Sequence, residues 1–322
     1  MVLSSEQKAS FFSDGYIVVR NLLSAEEIEI LCGRYEALAT GQVDGYPEEQ
    51  VSIRDVQGRA PFGRVSAEAA KEEPVSQGPR HNRRGTQVYP TGEEHFTEQR
   101  KAPVKDPIDA VLKLNVPSRF DKQFDTFARS PKVVDIIEDL MGPNIKLYYD
   151  QVFSKSPYAP ANRYHQDSVF WRFFASNFQI TCQILLDPAT AENGCVRVIP
   201  GSQNFGLVDW DHLPRLLTED VLENEVELPL RPGDATFHHS LTLHCSGPNA
   251  TPTRRRGWSL HYVSADTRYI GTPEESERIK SLDCLEGTEP VNGWPLIRGR
   301  EFPHCVLVDP LFSSSPAKND SD

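Results

Sequence analysis

Two short stretches, far apart in the chain, carry residue types that could meet at a metal. The first is Tyr164-His165-Gln166-Asp167; the second is Leu243-His244-Cys245-Ser246-Gly247-Pro248-Asn249. Side chains alternate along an extended segment, so His165 and Asp167 point the same way. With His244 they make two imidazoles and one carboxylate on one face of a metal. Three coordination positions stay open, which suits non-heme Fe(II) oxygenase chemistry. A lone H-x-D is short and common, so its company matters. Arg255 follows His244 by eleven residues, within Thr253-Arg254-Arg255-Arg256-Gly257-Trp258.

Two neutral imidazoles and one carboxylate leave Fe(II) one positive charge, and a bidentate α-keto acid can chelate it. The far carboxylate of that acid then needs a partner inside a partly desolvated pocket. An arginine meets it best, because its planar fork makes two hydrogen bonds to a carboxylate. A strand after His244 would return past the metal with Arg255, Gly257, Ser259 and His261 on one face. Arg254 and Arg256 fall on the other face. Gly257 and Ser259 are small enough to leave room for a ligand. His238 shares the strand parity of His244 and competes as third ligand, but lacks its Ser-Gly-Pro-Asn context. His261 reads as a packed residue near the metal. Phe170, Trp171, Phe173 and Phe174 read either as core or as the wall of an apolar substrate pocket. Cys245 should face away from the metal.

The elements that must hold these groups are legible in part. Residues 5 to 15 read as an amphipathic helix ending at Asp14-Gly15, followed by a strand from Tyr16 to Arg20. Ser24 with Glu27 is a capping-box pair opening a helix through Ala39, with Ile28, Leu31, Tyr35 and Leu38 on its core face. Asp106-Pro107 starts a helix through Leu112, with Lys113 near its end. Ser130-Pro131 opens another, Val133 to Met141, stopped by Gly142. From Ile145 the pattern turns to strands: 145–153, 178–186, 195–199, 226–230, 235–239, 241–245 and 257–264. Several short strands between turn signals imply a β-sandwich or barrel. Residues 41 to 105 are irregular, rich in Gly, Pro and charge, and read as a lid over the site, with a disordered insertion as the alternative. The tail after Val308 reads as loose.

With 322 residues the chain can bury a large core in one domain. A net charge of −12 argues against nucleic acid as partner. Arg80-His81-Asn82-Arg83-Arg84 and Arg254 to Arg256 are local basic exceptions. The six cysteines are scattered without a C-x-x-C, as in a reduced intracellular protein. There is no apolar signal run, no stretch long enough to span a bilayer and no peroxisomal address at the C-terminus, so a cytoplasmic protein without a membrane partner is expected.

At these residues the sequence resembles the phytanoyl-CoA dioxygenase family of Fe(II)/2-oxoglutarate oxygenases. The resemblance runs from Phe12-Ser13-Asp14-Gly15-Tyr16 to about Tyr262. It is carried by His165-Gln166-Asp167, Asp187 with Glu192-Asn193-Gly194, Pro200-Gly201-Ser202, Gly233-Asp234, His244 with Ser246 and Asn249, and Arg255. It implies a mainly β fold, a double-stranded β-helix (jelly roll, cupin-like) core over 143–265. A helical part, 1–142, packs on one side, and an extension, 266–322, follows in the same single domain. His165, Asp167 and His244 match the iron ligands, which are also the catalytic set. Arg255 matches the partner of the 2-oxoglutarate C5 carboxylate, with Ser246 beside it. Lys113, Gln151 and Gln166 match the lining of the cosubstrate pocket. Gln203 and Gln183 depart from the family's usual His and aromatic residue. Asp167 stands where halogenases on this scaffold carry a small residue, so hydroxylation is implied. The cofactors implied are Fe(II), 2-oxoglutarate and O2, with ascorbate as a stimulant, and the partner is a small-molecule substrate. The expected reaction hydroxylates an unactivated C–H of a small organic or acyl-type substrate and gives succinate and CO2. The alternatives are a non-catalytic jelly-roll binding protein and a cupin-type metal enzyme that does not use 2-oxoglutarate. Oligomeric state is left open.

Overall fold

A computed structural model describes residues 2–53, 80–81, 87–88, 107–268, 270 and 294–302. The helices are α1 (Ser5–Asp14), α2 (Ala25–Ala39), α3 (Pro117–Phe120), α4 (Lys122–Ala128), α5 (Pro131–Met141), α6 (Leu213–Leu216) and α7 (Glu219–Leu222). The strands are β1 (Tyr16–Val19), β2 (Val51–Ile53), β3 (Arg80–His81), β4 (Gln87–Val88), β5 (Val111–Asn115), β6 (Ile145–Lys155) and β7 (Asn162–His165). Then follow β8 (Gln179–Leu185), β9 (Val196–Val198), β10 (Val226–Leu228), β11 (Ala235–His239), β12 (His244–Ser246), β13 (Arg255–Ser264) and β14 (Leu296–Arg298).

The major sheet runs β1-β11-β8-β13-β6-β5-β2, with β14 added beside β6; the minor sheet runs β10-β9-β12-β7. Together they make the jelly roll, and β3 with β4 forms a separate small ladder. The major sheet is wider than residues 143–265, because β1, β2 and β5 come from the N-terminal part and β14 from the C-terminal part.

The two faces of the major sheet differ in chemistry although both are buried. In β8, Ile180, Cys182 and Ile184 alternate with Gln179, Thr181 and Gln183, and all seven residues are buried. The apolar row joins Phe237, Trp258, Leu260 and Tyr262 in the main core, against Phe11, Leu31, Phe124 and Ile137 of the helices. α5 alone buries Val133, Val134, Ile136, Ile137 and Leu140, roughly 1.5–3 kcal/mol of transfer free energy each. The other row, from Gln151, Thr181, Gln183, Thr236, His238, Ser259 and His261, faces the minor sheet. A buried polar row is unfavourable unless something hydrogen-bonds it, and this row surrounds the candidate site.

Helix boundaries follow the local signals. Ser24 and Glu27 make the reciprocal capping box, and Ile28, Leu31, Tyr35 and Leu38 are the buried residues of α2. Gly15 ends α1 at φ +83°, and Ser130 with Pro131 opens α5. Three expectations are corrected. The helix expected from Asp106 to Leu112 is only a 3-10 turn, Pro107–Ala110, before β5. Sheet pairing overrides the local start signal there, placing Lys113 opposite Phe153. The strand expected over 241–245 begins only at His244, because Thr242 N–H turns back to the His239 carbonyl. Asp167 opens a 3-10 turn, not a strand residue; Gln166 before it is still extended, at φ −112°, ψ 135°. The proposed lid falls mostly outside the described residues, as do the basic cluster's side chains and the tail after Val308. No helix among the described residues is long and apolar enough to cross a membrane.

Candidate metal centre

His165 ends β7, His244 opens β12, and the two are register partners. That pairing brings their rings to 4.1 Å between centroids. Asp167 Oδ1 lies 3.8 Å from His165 Nε2 and 3.6 Å from His244 Nε2, and the three groups can offer ligand atoms within 4.8 Å of one another. Each imidazole uses Nδ1 on a carbonyl two residues earlier: His165 on Arg163 at 3.0 Å, His244 on Thr242 at 2.9 Å. Only an N–H can donate to a carbonyl, so Nδ1 carries the proton and Nε2 is a bare lone pair. Burial holds both rings below the usual histidine range, His244 at about 3. Burial also pushes the Asp167 carboxyl up, but the surrounding imidazoles outweigh it and hold it well below the usual carboxylate range. Three lone-pair atoms therefore face one another with no donor among them. A cation is what this set lacks, and two neutral imidazoles with one carboxylate fit a divalent first-row metal with open positions.

The second oxygen of Asp167 is taken up elsewhere. Thr181 Oγ1 lies 2.6 Å from Oδ2, and His238 Nε2 stands 3.3 Å from the same atom. Thr181 in turn meets His261 Nδ1 at 2.9 Å. His238, the competing ligand, thus lies behind the carboxylate. Thr181 belongs to no sequence motif, although the alternation of Gln179, Thr181 and Gln183 in so apolar a strand marks a polar buried face.

Arg255 opens β13 and is 4% exposed. Its Nη2 donates to the Gly194 carbonyl at 2.9 Å, while its Nε has no partner. No carboxylate among the described residues pairs with it. Its neighbours are already paired, Arg254 with Asp109 at 2.6 Å and Arg256 with Asp187 through two bonds. Lys155, directly opposite Arg255 in the ladder, is buried too and donates to the Pro160 carbonyl at 2.8 Å. Burial, and then Arg255 itself, press the Lys155 ammonium well below its usual range. Burying a charge without a counter-charge costs several kcal/mol, and two cations stand at this end of the barrel with no carboxylate among the described residues paired to Arg255.

The remaining candidates divide. Ser246, two residues beyond His244, is 5% exposed, and its hydroxyl has no partner among the described residues. Lys113 is half-buried on the inner face, 5.5 Å from the Phe153 ring centre and 6.0 Å from that of Tyr149, and burial lowers its ammonium to about 8. Gln151 lies between Asn115 and Ser259 on the same face, with Oε1 unpartnered. Gln166 is different. Its Nε2 donates to the Gly206 and Leu241 carbonyls, both at 2.8 Å, and its Oε1 accepts from Val208 N–H. Both amide hydrogens are occupied, so it pins the 206–208 loop and has none left for a carboxylate. Trp171, Phe173 and Phe174 pack with Tyr148 and Trp294 in a satellite core. Phe170 stays 51% exposed, with its ring 5.9 Å from that of His165. Cys245 packs against Tyr164 and Leu243, away from the metal side.

Several other motif residues are braces. Ser202 accepts from Leu243 N–H at 2.8 Å and so sets the approach to His244. Asn249 Nδ2 bonds the Lys155, Ser156 and Thr253 carbonyls, closing the turn between β12 and β13. Gly194 sits at φ +80°, where a Cβ would meet the Gly247 carbonyl oxygen at 2.3 Å and Lys155 Cε at 2.9 Å. Gly194→Ala is expected to destabilise the protein by about 2–4 kcal/mol through left-handed strain and overpacking. It should also displace the carbonyl that holds Arg255 and so weaken any anion bound beside it. Thermal denaturation with and without 2-oxoglutarate reads both effects.

Comparison with known proteins agrees with this geometry. The sequence profile of the family described as Phytanoyl-CoA dioxygenase (PhyH) matches residues 11–257. The peroxisomal phytanoyl-CoA dioxygenase of Rattus norvegicus is 25% identical over 314 residues, 91% of this chain and 78% of that protein. A probable alpha-ketoglutarate-dependent hypophosphite dioxygenase of Stutzerimonas stutzeri is 32% identical over 161 residues, 47% of this chain and 56% of that one. Among solved structures, the epimerase SnoN in complex with Fe3+, alpha ketoglutarate and nogalamycin RO superposes with a TM-score of 0.59 at 22% identity. That match covers 91% of this chain and 98% of SnoN, and it shares the fold. Matched from α1 into β13, with His165, Asp167 and His244 gathered at one point, the chain belongs to the phytanoyl-CoA dioxygenase family.

Proposed function

We propose that the protein is an Fe(II)- and 2-oxoglutarate-dependent oxygenase that hydroxylates an unactivated C–H of a small organic substrate. The observation that carries this is the donor-free meeting of two Nε2 lone pairs and Asp167 Oδ1, with a buried guanidinium, Arg255, that has no counter-ion among the described residues. His165, Asp167 and His244 would hold the iron. Bound iron and cosubstrate would supply the oxidising power, with 2-oxoglutarate leaving as succinate and CO2. The chain's own part is to bind, orient and keep water out. Arg255 anchors the C5 carboxylate, and the unpartnered hydroxyl of Ser246 adds a donor beside it. The half-buried ammonium of Lys113 favours the dianionic cosubstrate over water in the same cavity. The relatives named above are named for an acyl-CoA and for hypophosphite. Both names give a dioxygenase, and the substrates they name differ.

The test is succinate release from 2-oxoglutarate by the Fe(II)-loaded protein under air, with and without candidate substrates. Succinate that depends on Fe(II), 2-oxoglutarate and Arg255 supports the reading. Turnover that needs the metal but ignores 2-oxoglutarate would place the protein with the cupin-type enzymes instead.

A further inference from the structure

From Asp167 a chain of hydrogen bonds runs across the inner face of the major sheet. Thr181 Oγ1 is 2.6 Å from Asp167 Oδ2, His261 Nδ1 is 2.9 Å from Thr181 Oγ1, and Gln151 Nε2 is 3.4 Å from His261 Nε2. Counting protons gives this chain a direction. An ionised carboxylate only accepts, so the single hydroxyl hydrogen of Thr181 lies on Oδ2. Thr181 oxygen can then only accept from His261, which puts the imidazole proton on Nδ1. Burial keeps His261 neutral, its range lowered to about 4, so its Nε2 is a lone pair. That lone pair takes a hydrogen from Gln151 Nε2 and fixes which way the amide faces. Gln151 Oε1, buried and without a partner among the described residues, is left as a free acceptor on the inner face of the sheet.

2-Oxoglutarate at neutral pH has two carboxylates and a ketone. It offers acceptors and no donor, and a carbonyl oxygen facing a carboxylate repels it. We infer that Gln151 Oε1 recognises the substrate, and that the substrate carries a hydrogen-bond donor, a hydroxyl, ammonium or amide N–H, at the point where it passes β6. Thr181 and His261 are positioning residues: they carry the orientation set by the iron-binding carboxylate out to the amide. This rests on the oxygenase reading and deepens it, because the same carboxylate that would hold the metal sets the polarity of substrate recognition. A donor-bearing substrate is selected because the buried acceptor would go unpaired against an analogue lacking the donor, and such unpaired groups discriminate strongly.

Two measurements test it on the Zn(II)-loaded full chain. In 15N-histidine NMR, with His261 assigned by its loss in His261→Asn, the wild type should show the Nδ1–H tautomer. Thr181→Val should release it. An Nε2–H tautomer in the wild type overturns the inference. By calorimetry, Gln151→Met should bind 2-oxoglutarate within about twofold of wild type, whereas Arg255→Met should bind it far more weakly. A loss in Gln151→Met comparable to that in Arg255→Met makes Gln151 a cosubstrate ligand and overturns the inference while leaving the oxygenase reading intact. A wild type that fails to bind 2-oxoglutarate overturns both. On the Fe(II) enzyme, amino acids, amino alcohols and hydroxy acids are paired as probes with their fully methylated forms, trimethylammonium for each amine and methoxy for each hydroxyl, which keep no donor. Stimulated 2-oxoglutarate turnover should be confined to the free-donor member of a pair and should fall at least tenfold in Gln151→Met. Equal stimulation by the methylated partner, or no difference between wild type and variant across the panel, overturns the assignment.

Discussion

Asp167→Asn is expected to remove at least 99% of 2-oxoglutarate turnover and to weaken Fe(II) binding by at least about 100-fold, with the fold intact. Outer-shell partners of metal ligands are worth about 10–100-fold in affinity or activity, and a ligand itself is worth more. The amide matches the carboxylate in shape, so Thr181 can still donate to one of its atoms. What is lost is the negative charge that the two imidazoles cannot supply. Bound iron would keep both of its positive charges in a buried site, and the amide nitrogen turned toward His165 and His244 would bring hydrogens where lone pairs are needed. His165→Ala should give the same loss by another route, leaving two ligands that no longer define a face. His238→Phe separates the cases. Its Nε2 lies 3.3 Å from Oδ2, while Oδ1 is the oxygen nearest both ligand imidazoles. It should therefore reduce metal affinity only by the outer-shell amount. The readouts are metal content after dialysis against Fe(II), succinate formation and far-UV circular dichroism. Full turnover by Asp167→Asn would remove the carboxylate from the ligand set, and total loss in His238→Phe would return His238 to it.

How far these residues were legible follows from what each depends on. His165 and Asp167 are neighbours on one extended segment, so strand parity alone aligned them, and Gln166 remains extended even though Asp167 begins a turn. His244 and Arg255 needed only the return of one strand past another, which the turn around Asn249 delivers. The core face of α2 and the cap of α5 are local and were readable for that reason. β5 is not legible locally, because its strand state comes from pairing with β6, a partner outside its own sequence neighbourhood. The role of Gln166 was hidden similarly, since its amide is occupied by carbonyls 40 and 75 residues away. Thr181, His238 and His261 converge from three strands behind one carboxylate oxygen. Only the registers of β8 with β11 and β13 reveal that.

Arg255→Met is expected to raise the dissociation constant for 2-oxoglutarate by roughly 100- to 1,000-fold while leaving the ligand-free protein as stable as wild type or slightly more so. Truncating one partner of a buried, hydrogen-bonded charge pair costs about 2–5 kcal/mol, and each 1.4 kcal/mol is about tenfold in affinity. The opposite sign for the free protein follows from the same burial. In the wild type the guanidinium is 4% exposed, bonds one carbonyl, leaves Nε unpartnered and faces the ammonium of Lys155 across the ladder. Methionine keeps the unbranched stem and removes the charge, so the free protein sheds a desolvation penalty and a like-charge contact at the loss of one hydrogen bond. Saturating 2-oxoglutarate at about 100 times its dissociation constant should stabilise the wild type by about 2.7 kcal/mol and the variant by almost nothing. Paired thermal melts on the Zn(II)-loaded protein, with and without the keto acid, read both halves of this expectation. A variant that melts lower without ligand yet keeps the full ligand-induced shift would mean that Arg255 holds the barrel together and that the cosubstrate's far carboxylate is bound by another group. Lys155 would then be the first residue to replace.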